Sequence, residues 1–409
     1  MNLHTPYIEH NVNILKMDKK VINKRIRKEK DSISRYKIVG LGRLTGFSGV
    51  HEYLWPSIAK KHKLVEVVDT RLSGFWKYWN IAYCFWKLPG FSKYIHPIRT
   101  ILGKEISDYR QRTSYYIFKR TEAFERKIEY LYDKCDLFLQ TGWLPAIRSK
   151  PKKPRFIFVD FTMKLAEREY PPWAIFFSER DKRRWLELEA ISYRNATIVF
   201  TASDYVRNSI IKDYEVDEEK VVTVYEGVNL EELPIFAKEY DKKLILFVGR
   251  EFNRKGGPTL IKAFKEVKKE IKDAKMIIVG SLPLVKDENI IVKGYISRNE
   301  LLRLYENASI FAMPSICEPF GLVFLEAMAY KTPCIGTTVD AMPEIIENGK
   351  TGFLVPPNDH KELADKLILL LEDENLMKRM GEEGREKVEK YFTWDLVVER
   401  MTKQFERVV

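Results

Sequence analysis

Two series of short apolar runs, each interrupted by helix-length segments, leave this 409-residue chain few architectures. The first series lies at 36–41, 64–68, 137–139, 156–159, 197–200 and 221–224, and its members are β-branched or aromatic with little polar alternation. Strands read this way when helices cover both faces of a parallel sheet, whereas a sheet with one wet face alternates. A second series follows at 244–248, 276–279, 290–293, 310–313, 334–335 and 353–355, after a polar connector at 231–240. One hydrophobic core seldom serves so long a chain, so the expectation is two α/β domains in tandem, at 35–230 and 241–390. Before them, residues 1–34 carry the basic run Lys24, Arg25, Arg27, Lys28 and Lys30 and read as an extension. After them, 391–409 reads as a final amphipathic helix. The first run feeds a glycine-bearing loop at 42–49 and then a helix-like segment at 50–59, which is how a nucleotide-type fold opens.

No run of about 18 apolar residues occurs, and the N-terminus is polar and Lys-rich, so neither a membrane span nor a signal peptide is expected. Cys84, Cys135, Cys317 and Cys334 are scattered without metal-ligand spacing, which points away from zinc and disulfides and toward a reducing cytoplasm. The net charge of +12 is concentrated: residues 71–155 hold 18 Lys/Arg against 7 Asp/Glu, while 241–409 hold 27 of each. That basic stretch is also aromatic, with Trp76, Trp79, Trp86, Tyr115, Tyr116 and Phe118 among others. Cationic and amphipathic aromatic residues together suit the face of an anionic membrane, and the plain alternative is a charged helical surface over an aromatic core. Nucleic-acid binding would also use the basic excess, but it leaves the balanced C-terminal half unexplained and is not expected.

The chemistry concentrates in two segments. In 313–329, M-P-S-I-C-E-P-F-G-L-V-F-L-E-A-M-A, a strand ends, a turn with Pro and Gly follows, and a helix begins near Gly321. The N-terminus of a helix offers free N–H groups and a positive dipole end, so a diphosphate is favoured there. Glu318 and Glu326 place carboxylates on either side of that cradle, where each could accept hydrogen bonds from sugar hydroxyls. In 246–257, L-F-V-G-R-E-F-N-R-K-G-G, a buried strand delivers Arg250 at its carboxyl end, and Lys255 follows at the mouth of the next helix. Two cations at such an edge suit a diphosphate leaving group. The plain readings are an acid at a helix start, an exposed helical Glu and solvated loop charges.

These segments resemble glycosyltransferase family 4, the retaining transferases of the GT-B fold. The likeness is strong over 195–408, weak over 36–70 and nearly absent over 72–150. It rests on the E-x(7)-E pair Glu318 and Glu326, on Gly249, Arg250, Lys255 and Gly256, and on Glu344, Gly349, Gly352, Leu354 and Val355. The resemblance implies two Rossmann-like domains facing a central cleft, with the final helix returning to the N-terminal one. It implies that Arg250 and Lys255 bind the donor diphosphate. Glu318 and the backbone of Phe320, Gly321 and Leu322 would hold the transferred sugar and phosphates, and Glu326 the ribose. The turn Gly294-Tyr295-Ile296-Ser297 would border the base, and the loop from Gly46 to Gly49 would face the diphosphate and acceptor. The donor would be a UDP- or GDP-sugar, the acceptor a glycan or lipid-linked hydroxyl, and no metal or other cofactor would be required.

Two departures from the family pattern stand out. Relatives commonly place His where this chain has Asp160, and P-N-G-V-D where it has Tyr225-Glu226-Gly227-Val228-Asn229. A carboxylate at Asp160 could steady oxocarbenium charge or orient the acceptor, against the plain reading of a capping or salt-bridging Asp. A sugar-nucleotide epimerase on the same fold is the alternative to a transferase.

Overall fold

The computed structural model describes residues 35–42, 49–70, 112–176 and 178–409. The expectations for 1–34, for Gly46 to Ser48 and for the first part of the basic stretch, 71–111, fall outside the described residues. Internal packing divides the chain into two compact units.

The N-terminal unit is built on one sheet of six strands: β1 (Lys37–Gly42), β2 (Lys63–Asp69), β3 (Leu137–Thr141), β4 (Arg155–Val159), β5 (Ile198–Thr201) and β6 (Val221–Thr223). They lie in the order β2-β1-β3-β4-β5-β6, and every pair is parallel. The apolar runs of β1, β3, β4 and β5 are buried because helices cover the sheet, while the edge strands β2 and β6 are buried only in part. Trp143, Trp185, Leu188, Tyr193, Val199, Val206 and Ile210 form one apolar cluster, and Val39, Leu41, Val68, Phe124, Ile128 and Phe138 another. After the helix Ser114–Ile128 the chain tightens into a 3-10 turn at Glu129–Lys134.

The C-terminal unit repeats the design with β7 (Leu244–Val248), β8 (Lys275–Val279), β9 (Ile290–Gly294), β10 (Ile310–Ala312), β11 (Cys334–Thr337) and β12 (Gly352–Val355). Their order is β12-β11-β10-β7-β8-β9, again all parallel. The connector is less detached than its polarity suggests. Tyr240 is buried and its hydroxyl donates to the Lys331 carbonyl at 2.8 Å. Lys238 Nζ caps the end of the helix Arg298–Asn307 through the carbonyls of Tyr305 and Glu306, each at 2.9 Å.

The final helix, Trp394–Glu406, is shared between the units: residues through Arg400 pack with the C-terminal one and Met401 onward with the N-terminal one. Near its end Phe405 is fully buried, its ring edge-on to Phe156 at 4.7 Å and to Phe200 at 6.0 Å. No described helix is long and apolar enough to cross a membrane.

Candidate functional site

The strand order of the C-terminal unit dictates where a ligand can sit. From β7 the chain builds outward through β8 to β9, then returns to place β10 on the other side of β7. The strand order therefore reverses between β7 and β10, and the carboxyl edge at such a switch point is where open α/β sheets bind ligands. Both segments singled out for chemistry lie there: residues 249–256 follow β7 and residues 313–321 follow β10. They are fastened together. Ile316 N–H donates to the Arg254 carbonyl at 2.8 Å, and Arg254 Nη1 donates to the Cys317 carbonyl at 2.5 Å. Gly256 adopts φ +73°, and a Cβ there would stand 1.8 Å from the Pro314 oxygen. Only glycine permits that backbone approach.

Across this junction Lys255 forms an ion pair with Glu318, both side chains being largely buried. Arg254 Nη1 stands 3.8 Å from the same carboxylate oxygen, and its Nε pairs with Glu251 at 2.9 Å. Ser315 Oγ donates to Glu318 at 3.4 Å, while the Glu318 N–H donates to Asp340 at 2.6 Å, so both backbone and side chain of Glu318 are held. Burial lowers the Lys255 pKa, and the attraction of Glu318 only partly offsets it. For Arg254 burial also works against the charge, but Glu318 and Glu251 outweigh it and hold the guanidinium above its ordinary value. Arg250 stays exposed at the rim, its guanidinium 5.8 Å from the centre of the Tyr295 ring. Tyr295 follows β9 directly, and Ser297 caps the next helix by accepting from the Glu300 N–H.

The helix Leu322–Ala329 opens at Gly321, which has φ +91°, and no side chain caps it. Its first N–H groups lack partners within the helix, and its dipole presents partial positive charge beside Glu318 and Lys255. Phe320 is buried, edge-on to Phe392 at 6.1 Å, so its backbone rather than its ring faces this chemistry. One turn on, Glu326 is buried with both oxygens engaged: Arg298 at 2.9 Å and the Tyr305 hydroxyl at 3.0 Å.

Residues 229–387 match the family described as glycosyl transferases, group 1. Over that segment the chain is similar to the group 1 glycosyltransferases. Among curated proteins it is 31% identical over 224 residues to an uncharacterized glycosyltransferase, MJ1178, of Methanocaldococcus jannaschii, covering 52% of this chain and 60% of that one. It is 27% identical over 243 residues to the capsular polysaccharide biosynthesis glycosyltransferase CapM of Staphylococcus aureus, covering 53% and 63%. The chain thus spans under two thirds of the length of these relatives. Among solved structures, sucrose-phosphate synthase from Thermosynechococcus elongatus aligns with a TM-score of 0.63 at 21% identity, over 91% of this chain and 99% of that one. WaaG, a glycosyltransferase involved in lipopolysaccharide biosynthesis, aligns with a TM-score of 0.61 at 14% identity, over 89% and 98%. Both likenesses concern the fold, which is GT-B.

Within this GT-B fold the residues picked from sequence fall in two places. Arg250, Lys255, Tyr295, Glu318, Phe320, Gly321, Leu322 and Glu326 all lie in the C-terminal unit. Gly49 packs with that unit as well, at φ +76° with its Cβ position 3.0 Å from Asn229 Nδ2. Asp160 follows β4 in the N-terminal unit. Its side chain reaches solvent yet is crowded by protein, and that desolvation raises its pKa against the N–H groups of Asp160 and Phe161. It does not cap the next helix, since Thr162 does so by accepting from the Leu165 N–H.

Four further residues, none of them picked as a site residue from sequence, shape the candidate site. Arg254 and Asp340 fix Glu318; Arg298 and Asn229 join Glu326 to the segment that departs from the family pattern. Arg298 Nη2 donates to the Asn229 carbonyl at 2.5 Å, and Trp394 Nε1 donates to Asn229 Oδ1 at 3.1 Å. Asn229 thereby anchors the start of the final helix.

Proposed function

We propose that this protein is a retaining glycosyltransferase that moves a hexose-type sugar from a UDP- or GDP-sugar to a hydroxyl of a glycan or lipid-linked acceptor. The observation that carries the reading is the meeting of Lys255 and Arg254 with Glu318 at the mouth of the uncapped helix beginning after Gly321. Arg254 and Lys255 meet Glu318 beside a helix N-terminus, with Glu251 and Asp340 also at the junction, and the exposed Arg250 adds a third cation to the same loop. Such a cradle neutralises a leaving diphosphate as charge develops on it, and preorganised charge of this kind supplies much of the rate in group transfer. The complex of Anabaena HepE with UDP and glucose supports a nucleotide-sugar donor on this fold.

In this reading Arg250 and Lys255 hold the diphosphate, and the N–H groups at Phe320, Gly321 and Leu322 complete the hold. Glu318 grips the sugar, Glu326 the ribose, and Tyr295 borders the base. The sugar C1–O bond breaks as the acceptor oxygen attacks the same face, and the departing diphosphate oxygen takes the acceptor proton. Asp160 orients the acceptor hydroxyl or steadies positive charge at C1, and Gly49 keeps its loop close. The transferase works in the cytoplasm, against the membrane through the basic stretch 71–155 where its acceptor is a lipid.

A screen of the purified protein against nucleotide sugars, by thermal shift and by release of nucleoside diphosphate, tests the donor. A true donor stabilises in proportion to the logarithm of its concentration over its dissociation constant. Stabilisation by none of them would overturn the reading, and a C2-epimerised sugar nucleotide formed without acceptor would replace it with an epimerase.

A further inference from the structure

A cavity of about 430 Å³ in the N-terminal unit is lined, among the described residues, by Ser114, Arg180, Arg183, Arg184 and Glu187. Its size suits a small polar ligand rather than a macromolecule. The three arginines sit in the first two turns of the helix Glu179–Asn195. Cations are unfavourable there, because the helix dipole already presents positive charge at that end. Lys182, in the same turns, is neutralised by Glu167 at 2.5 Å, and Arg184 pairs with Glu187 at 3.3 Å. Among the described residues no carboxylate pairs with Arg180 or Arg183.

The frame of the cavity is rigid. Asp181 is buried and accepts from both the N–H and the hydroxyl of Ser114, at 2.8 and 2.7 Å, so it ties the start of one helix to that of the other. Ser178 Oγ donates to its second oxygen at 2.7 Å. With Asp181 saturated in this way, two unpaired guanidiniums and a dipole remain as excess positive charge. A phosphate monoester, with charge of roughly −1.5 to −2 at neutral pH and three acceptor oxygens, matches that excess where a carboxylate matches half of it.

Position supplies the role. The helix is the last element of the crossover from β4 to the parallel β5 and leads directly into β5, so it runs against the strands and its first turn lies toward the carboxyl edge of the sheet. Asp160 leaves β4 at that same edge. We propose that this cavity binds a phosphate monoester carried by the acceptor. Only the word acceptor rests on the function proposed above; the phosphate site stands on its own residues.

Titration calorimetry of glycerol 3-phosphate tests it on the whole chain and on Arg250→Ala, which removes part of the donor clamp. Both proteins should bind, and adding Arg180→Ala and Arg183→Ala should weaken binding at least about tenfold, with Arg183→Lys falling between. These side chains are exposed, and an unchanged thermal midpoint checks that the variants fold. Co-sedimentation with phosphatidylcholine vesicles, with and without phosphatidic acid, identifies the carrier. Phosphatidic-acid-dependent binding lost with the two arginines supports a lipid phosphate; soluble binding alone supports a free one. Binding absent in both arms, or indifferent to Arg180 and Arg183, overturns the proposal. Failure of the donor reading would show separately, as nucleotide-sugar binding unaffected by Arg250→Ala.

Discussion

Arg298 lies 2.9 Å from Glu326, joining the first residue of one helix to the second turn of another. Glu326 is almost wholly buried while Arg298 keeps about a third of its side chain in solvent, 6% against 31% exposed. The two partners therefore differ in what they leave behind. Arg298→Ala strands a buried carboxylate and should cost about 3 kcal/mol of stability. Glu326→Gln leaves a guanidinium that water can reach and should cost about 1 kcal/mol. Urea unfolding of both variants checks the order, and a larger loss for Glu326→Gln would contradict it.

Arg250 makes its described contact through the face of Tyr295 and is otherwise exposed. Arg250→Ala should leave the thermal midpoint unchanged and lower sugar transfer about 100-fold or more, the usual effect of removing one preorganised donor to a developing charge. Transfer rates measured at saturating acceptor read this directly. Near wild-type turnover would remove Arg250 from the phosphate clamp.

Three glycines with positive φ should respond to alanine in a graded order. At Gly349, φ +80°, a Cβ meets nothing within 4 Å, so only the backbone conformation resists, at about 1–2 kcal/mol. At Gly321, φ +91°, the Cβ meets the flexible end of Met342 at 2.7 Å, and the cost should be somewhat higher. At Gly256 it meets the Pro314 carbonyl at 1.8 Å, which cannot move without parting the two loops, and the loss should exceed about 4 kcal/mol. Equal losses at the three positions in chemical denaturation would defeat the backbone-contact argument.

Burial pushes the Glu189 carboxyl up to about 7, against hydrogen bonds from Tyr214 at 2.8 Å and Tyr193 at 2.9 Å. The folded state therefore holds a proton that the unfolded state releases near 4.5. Its contribution is fully present below the unfolded value and is lost as pH rises through the folded one, by at most about 3 kcal/mol. His62 slopes the other way. Burial, Arg35 and Lys61 lower its pKa to about 4, so its contribution is lost as pH falls below its ordinary 6.5. Glu189→Gln should flatten the decline between pH 5 and 8 relative to wild type, as read from melting midpoints across that range; an unchanged slope would show that Glu189 is ionised in the fold.

How much of this was legible in the residues follows from what each signal depends on. Continuous apolar runs mark buried parallel strands because burial on both faces is a local demand, and the twelve described strands all fall on such runs, although β2 and β9 at the sheet edges are buried only in part. Glu318, Arg250 and Lys255 were readable because strand ends and a helix start fix their places. Arg254 was not. Its charge within a loop looks like any solvated arginine, and what buries its side chain, the Cys317 carbonyl and Glu318, lies more than sixty residues away in sequence. Arg298 likewise reads as an ordinary helix-start residue, and its pairing depends on Glu326, in a different helix. The E-x(7)-E spacing locates Glu326 but carries no trace of Tyr305, whose hydroxyl faces it from the other end of the helix that Arg298 begins.

Phe405 closes a core whose other rings, Phe156 and Phe200, belong to strands more than two hundred residues earlier in the chain. During synthesis that core stays unfinished until the ribosome has delivered nearly everything described here, so an apolar patch at the base of the first sheet awaits its cover throughout translation of the second. Folding of the N-terminal unit should therefore be completed late although its strands are made first, and the nascent chain should depend on chaperones over that interval.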